Sequence, residues 1–146
     1  MKNLKNIVTL FVSITMFTTT IYAAEFVLKL AHNGPEIHPF QNGAERFKQV
    51  MEEETNGAVT VQIFPSEQLG SEEETSQMIK QGTIACAVES AGGGLAPFVS
   101  SADLFNLPFL FRDIPHFYRV LDGPVGSLIA RDVEDSLDSV FLGWWS

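Results

Sequence analysis

With 146 residues, 45% of them hydrophobic and 18% charged, the chain is long enough for one packed domain and too apolar for a disordered one. The formal charge of −9 excludes a general attraction to nucleic acid or anionic lipid. An anionic ligand must therefore be met locally, by a placed cation or a set of N–H donors.

The chain begins with a leader. Lys2 and Lys5 give a positive start, residues 7–17 are apolar apart from hydroxyls, and residues 18–23 end in Ile21-Tyr22-Ala23. This is the pattern of a secretory signal peptide with a small residue before the cut. The apolar run is shorter than the roughly 20 residues that span a bilayer. Residues 1–23 are expected to be removed and residues 24–146 to form the domain, in the periplasm. Cys86 is the only cysteine, so no internal disulfide forms. It lies in the apolar run 83–88 and reads as a small core residue.

Residues 26–31 alternate as a strand and stop at the turn-forming His32-Asn33-Gly34-Pro35. Residues 38–54 repeat apolar side chains at helical spacing (Phe40, Ala44, Phe47, Met51), with Pro39 at an early helical position and Asn56-Gly57 as a stop. Residues 59–64 alternate as a second strand. Ser71 and Glu74 form a capping box, and the acids Glu72, Glu73 and Glu74 suit the positive end of the following helix. They read as a solvated helix start. That helix runs to Lys80 and stops at Gly82. Residues 84–88 are short, apolar and β-prone, as in a strand buried on both faces, and Gly92-Gly93-Gly94 breaks the chain. The dense run Phe105, Leu107, Phe109, Leu110 and Phe111 reads as core. Helices over 115–121 and 125–137, and a last strand over 140–145, complete the order. Alternating strands and helices predict an open, mostly parallel α/β sheet flanked by helices.

In such sheets ligands sit beyond the carboxyl ends of the strands. Four candidates fall there: His32 and Asn33 after the first strand, Glu89 after the third, and Trp144 in the last. Glu89 follows a buried strand directly. A carboxylate at that mouth costs several kcal/mol unless paired or solvated, and ligand hydroxyl or ammonium protons would satisfy it. The alternative is a partner within the protein, a helix N-terminus or Arg112. Asn33 both donates and accepts, or makes an Asx-turn before Gly34-Pro35. Trp144 and Trp145 stack on a ligand or plug the core. His32, Glu36 and His38 match no zinc spacing, and His116 reads as structural. No nucleophile–base pair, phosphate loop or metal cluster stands out, so binding without metal or cofactor is expected, not catalysis.

Several stretches occur in an order and rhythm that resemble a known family: Leu28-Lys29-Leu30-Ala31-His32-Asn33, Phe64-Pro65-Ser66-Glu67-Gln68-Leu69-Gly70, Asn106-Leu107-Pro108-Phe109 and Val120-Leu121-Asp122-Gly123-Pro124. The chain resembles the DctP family of solute-binding proteins, which serve tripartite ATP-independent periplasmic (TRAP) transporters. The resemblance implies one lobe of a two-lobe periplasmic receptor, working as a monomer, that closes on a small organic acid and hands it to membrane permease subunits. Asn33 and Glu89 fall where members of that family place ligand contacts, and Trp144-Trp145 matches the strand leading to the other lobe. Members continue past the position of Ser146, where the arginine that clamps the ligand carboxylate lies. A truncated chain with the second lobe missing is therefore expected, its ligand a hydroxylated acid such as a sugar acid. A receptor feeding a sensor kinase, a small extracytoplasmic enzyme using His32, Glu36 or His38, and a remnant without function are the rival expectations.

Overall fold

The computed structural model describes residues 26–145. The proposed signal peptide, residues 1–23, lies outside them. Strand β1 (Phe26–His32) is central: β2 (Val59–Phe64) pairs parallel along it from Phe26↔Val59 to Ala31↔Phe64, and β3 (Cys86–Val88) pairs parallel with its far end, from Leu30↔Cys86 to His32↔Val88. Among the described residues only Leu30 and Ala31 of β1 pair on both sides, His32 pairing with β3 alone, and these three are the fully buried ones.

Helix α1 (Pro39–Glu54) connects β1 to β2. His38 caps it, its Nδ1 accepting from Phe40 N at 3.3 Å, and Pro39 enters at the first turn, where its missing N–H costs nothing. The apolar stripe of the helix puts Ala44, Phe47 and Met51 against Leu30 and Val61, with Cys86 at the margin of the same cluster. Burying Val61 or Leu30 contributes about 2 kcal/mol each.

Helix α2 (Glu72–Lys80) starts at the capping box: Ser71 Oγ accepts from Glu74 N at 3.3 Å, and Glu74 Oε2 accepts from Ser71 N at 2.8 Å. Hydrogen bonding to the Ser71 N–H first, and to the Ser71 hydroxyl second, holds the exposed Glu74 carboxyl below its ordinary range. Beyond β3 come a π-helical turn (Ala91–Leu95), a 3-10 helix (Ser100–Asn106), α3 (Ile114–Leu121) and α4 (Pro124–Leu137). A second core forms here from Leu95, Val99, Ala102, Val133 and Leu137, with Ile79, Phe98, Phe105 and Phe141 packed on it. No helix among the described residues is long and apolar enough to cross a membrane.

The open parallel α/β sheet expected from the sequence is present, with four corrections. First, residues 140–145 form no strand. Asp138 turns the chain at φ 49°, Phe141 N donates to Glu134 Oε1 at 3.0 Å, and Trp144 packs on Phe141 and Phe105, so side chains and not a strand neighbour hold the segment. Second, Gly92-Gly93-Gly94 is no break but the body of the π-helical turn, whose cap is Ser90 Oγ, accepting from Gly93 N and Gly94 N. Third, β3 begins at Cys86 and not at Ile84, because the exit of α2 runs on through Thr83 N, bonded to Met78 O at 2.9 Å. As an edge strand it is only half-buried. Fourth, Leu107 and Phe109 leave the core: Phe109 is 99% exposed at φ 58°, while Phe105 and Phe111 face each other at 6.1 Å.

Candidate functional site

Parallel pairing puts the carboxyl ends of all three strands on one side of the sheet. The loops leaving them are tied together there: Ser66 N donates to Gly34 O at 3.0 Å and Glu67 N to His32 O at 3.3 Å. The N-terminus of α2 opens at the same side, because a helix that follows a parallel strand starts where the strand ends. Its first turn therefore faces the end of β3.

Glu89 and Ser90 leave β3 into that turn. Glu72 from α2 takes both groups of Ser90, its Oε1 accepting from Ser90 N at 2.9 Å and its Oε2 from Ser90 Oγ at 2.6 Å. Glu89 Oε1 lies 2.6 Å from the hydroxyl of Thr75, one turn further along α2 and only 4% exposed. Glu89 Oε2 is buried and has no hydrogen-bond partner among the described residues. Burial pushes the Glu89 carboxyl up to about 8; the Thr75 hydroxyl pulls it back in part, and the negative Glu72 pushes it up again. The approach of the π-helical turn to this pair requires glycine at 94, where a Cβ would stand 2.6 Å from Glu89 Oε2 and 2.9 Å from Glu72 Cβ. Ser76 Oγ, fully buried, donates to Gly94 O at 3.1 Å and holds the two elements together.

His32 and Asn33 sit one strand over, since His32 is in register with Val88. His32 is 3% exposed, its Nε2 3.0 Å from Gln41 Oε1 of α1 while Gln41 Nε2 donates to Glu45; its buried Nδ1 has no partner among the described residues. Asn33 is half-buried. Trp144 joins a different group, with ring centroids 5.5 Å from Phe105 and 4.8 Å from Phe141 on the second core. His38 is committed to capping α1, and among the described residues no three His, Cys, Asp or Glu side chains come together as a metal site. His116 serves locally, accepting from Arg112 N and donating its own N–H to Asp113.

Of the Glu89 cluster, the sequence singles out neither Thr75 nor Ser90 as a ligand contact and reads Glu72 as part of a solvated helix start. The signal was present, because Ser71 fixes the start of α2 and a helix start after a parallel strand lies at the mouth of the sheet. The solvated reading holds for Glu73 and Glu74, which are exposed, but not for Glu72. Arg112 is not the partner of Glu89; the protein's own partner is Thr75. A hollow of about 330 Å³ lined by Phe111, Arg112, Asp113, Ile114 and Phe117 contains none of the strand-end residues. It offers an open apolar wall, whereas the strand ends offer unspent hydrogen-bonding capacity, and the latter is the better candidate for a polar ligand.

A profile of the bacterial extracellular solute-binding proteins, family 7 (DctP), matches residues 30–146. The C4-dicarboxylate-binding periplasmic protein DctP of Rhodobacter capsulatus is 30% identical over 116 residues, which are 77% of this chain and 34% of that protein. Among solved structures, a TRAP periplasmic solute-binding protein from Sulfurospirillum deleyianum with bound succinate is 36% identical with a TM-score of 0.72, over 77% of this chain and 36% of that one. Another from Xanthobacter autotrophicus, with bound β-D-galacturonate, is 32% identical with a TM-score of 0.69, over 75% of this chain and 36% of that one. The chain thus spans little more than a third of the length of these relatives.

Proposed function

Because the chain belongs to the DctP family of bacterial extracellular solute-binding proteins, we propose that it supplies one lobe of a periplasmic receptor that captures a small organic acid for a TRAP transporter. The observation that carries the proposal is Glu89 Oε2, a buried oxygen at the mouth of the sheet without a partner among the described residues. Such an atom is costly where it stands, and a ligand hydroxyl laid across the strand ends would satisfy it. Asn33 supplies a donor and an acceptor from the neighbouring strand. His32, whose buried Nδ1 has no partner among the described residues, and Trp144 complete the proposed ligand contacts.

The protein acts by binding and release, with residues 1–23 directing export and the permease subunits of a TRAP system as its partners. Capture between two lobes buries most of a ligand's surface. A single lobe offers one wall, so its own affinity is weak. Relatives with bound succinate and β-D-galacturonate support an acid as the ligand. Saturation-transfer NMR with succinate, D-galacturonate and D-erythronate, a method that detects weak binding, tests this. Transfer to at least one acid, lost in Glu89→Ala, is expected. Equal transfer from wild type and Glu89→Ala would overturn the role of Glu89, and no transfer to any acid would overturn the receptor assignment.

A further inference from the structure

The oxygens around Thr75 carry more information than a strand-end contact. Its Oγ1 lies 3.0 Å from Ser71 O, 3.1 Å from Glu72 O and 2.6 Å from Glu89 Oε1. Ser71 O and Glu72 O are carbonyl oxygens and only accept. A threonine hydroxyl has a single proton. If Glu89 were ionised, all three neighbours would be acceptors competing for that proton. If Glu89 is protonated on Oε1, it donates to Thr75 Oγ1, and Thr75 passes its own proton to the helix carbonyls. The shortest of the three contacts then has a donor of its own.

The surroundings favour the same state. Glu72, fed by Ser90 N and Ser90 Oγ, already occupies the corner as a carboxylate with both oxygens bonded. It is the charged group beside Glu89 on α2; Thr75 on α2, and Ser90 and Gly94 on the π-helical turn side, are neutral. Two carboxyls in such different settings divide into one anion and one acid. Burial raises the Glu89 carboxyl to about 8, consistent with that division.

We propose that Glu89 stands in the site as a neutral carboxylic acid, its Oε1–H donating a hydrogen bond to Thr75 Oγ1 and its Oε2 left as an uncharged acceptor for a hydroxyl of an anionic ligand. The inference rests on the receptor assignment above and deepens it by assigning the charge state in which the strand-end carboxyl meets a hydroxylated acid. An ionised Glu89 would repel the ligand's own carboxylate. A neutral one takes a hydroxyl without adding charge to the cleft. An acid without a hydroxyl leaves Oε2 unpaired in the complex and is disfavoured for that reason. Thr75 and Glu72 are positioning residues: one accepts the hydrogen bond from the acid, the other keeps a second charge from forming.

The full chain, labelled with ¹³C at the glutamate side-chain carboxyls and titrated from pH 3 to 10, tests the protonation state directly, with Glu89→Gln identifying the resonance. A Glu89 midpoint near 8 is expected, falling in Glu72→Gln as the neighbouring charge is removed. A midpoint in the ordinary glutamate range of about 4.3 overturns the proposal. In the same chain, binding of D-galacturonate is expected to weaken by about tenfold per pH unit above 8, a slope that Glu89→Gln removes. Galacturonate binding that is flat from pH 7 to 9.5, or succinate bound as tightly as galacturonate, also overturns it. If neither acid binds, the receptor assignment fails, and the carboxyl midpoint alone decides the state of Glu89.

Discussion

Ser90 is gripped twice by Glu72: its N–H and its hydroxyl donate to the two oxygens of one carboxylate, at 2.9 and 2.6 Å, across 18 residues of sequence. This pair fastens the start of α2 to the end of β3 and so sets the shape of the strand-end mouth. Glu72→Ala removes both acceptors. It is expected to lower unfolding free energy by about 1–3 kcal/mol, measured by urea denaturation. A loss below about 0.5 kcal/mol would mean that water takes over both donors without cost.

The Glu89 carboxyl gives stability a pH dependence. Its folded-state value is raised to about 8 from an ordinary 4.5. Stability from this group is therefore complete below pH 4.5, falls as the pH rises toward 8, and is flat beyond, because the unfolded chain releases the proton first. Glu89→Gln has no such proton. Its melting temperature, compared with wild type, is expected to gain by about 4 °C or more between pH 4 and pH 9. A difference that stays constant over that range would show that Glu89 titrates alike in the folded and unfolded states.

Gly126 shows how the close approach of α3 and α4 constrains sequence. An exposed helical glycine changed to alanine usually gains about 1 kcal/mol. Here a Cβ would lie 1.8 Å from Leu121 O, backbone of the preceding helix. Gly126→Ala must push α3 and α4 apart, and a loss of about 1–3 kcal/mol is expected in place of the gain. Thermal or chemical melting reads the sign directly.

The capping box yields the simplest prediction. Ser71→Ala removes the acceptor for Glu74 N and is expected to cost about 1 kcal/mol. Ser71→Asp, which keeps an acceptor at the cap, is expected to restore most of it.

What was legible in the sequence was local. Periodicity and caps located the first two strands and all four α-helices within a residue or two, since Pro39, Ser71 and Gly123-Pro124 mark boundaries by backbone chemistry alone. The misreadings share one cause, which is that tertiary partners decide them. Residues 140–145 have strand composition but no strand beside them among the described residues. The glycine triplet looks like a break until Ser90 caps it, and Phe109 looks like core until its left-handed backbone turns it outward. Glu89 was legible as a carboxylate at a strand mouth. Its partners were not, because Thr75 and Glu72 reach it from a helix 14 and 17 positions earlier. Trp144 sits in an aromatic group that no periodicity specifies.

In the proposed receptor lobe an organic acid binds at the carboxyl ends of β1 and β3. Amide chemical-shift mapping of the ¹⁵N-labelled chain, titrated with D-galacturonate and separately with succinate, tests it most directly. Shifts are expected to concentrate at His32, Asn33, Glu89, Ser90 and the π-helical turn, to be larger for galacturonate, and to vanish in Glu89→Ala while the rest of the spectrum keeps its dispersion. Shifts centred on the hollow between Phe111 and Phe117, with the strand ends silent, would contradict it.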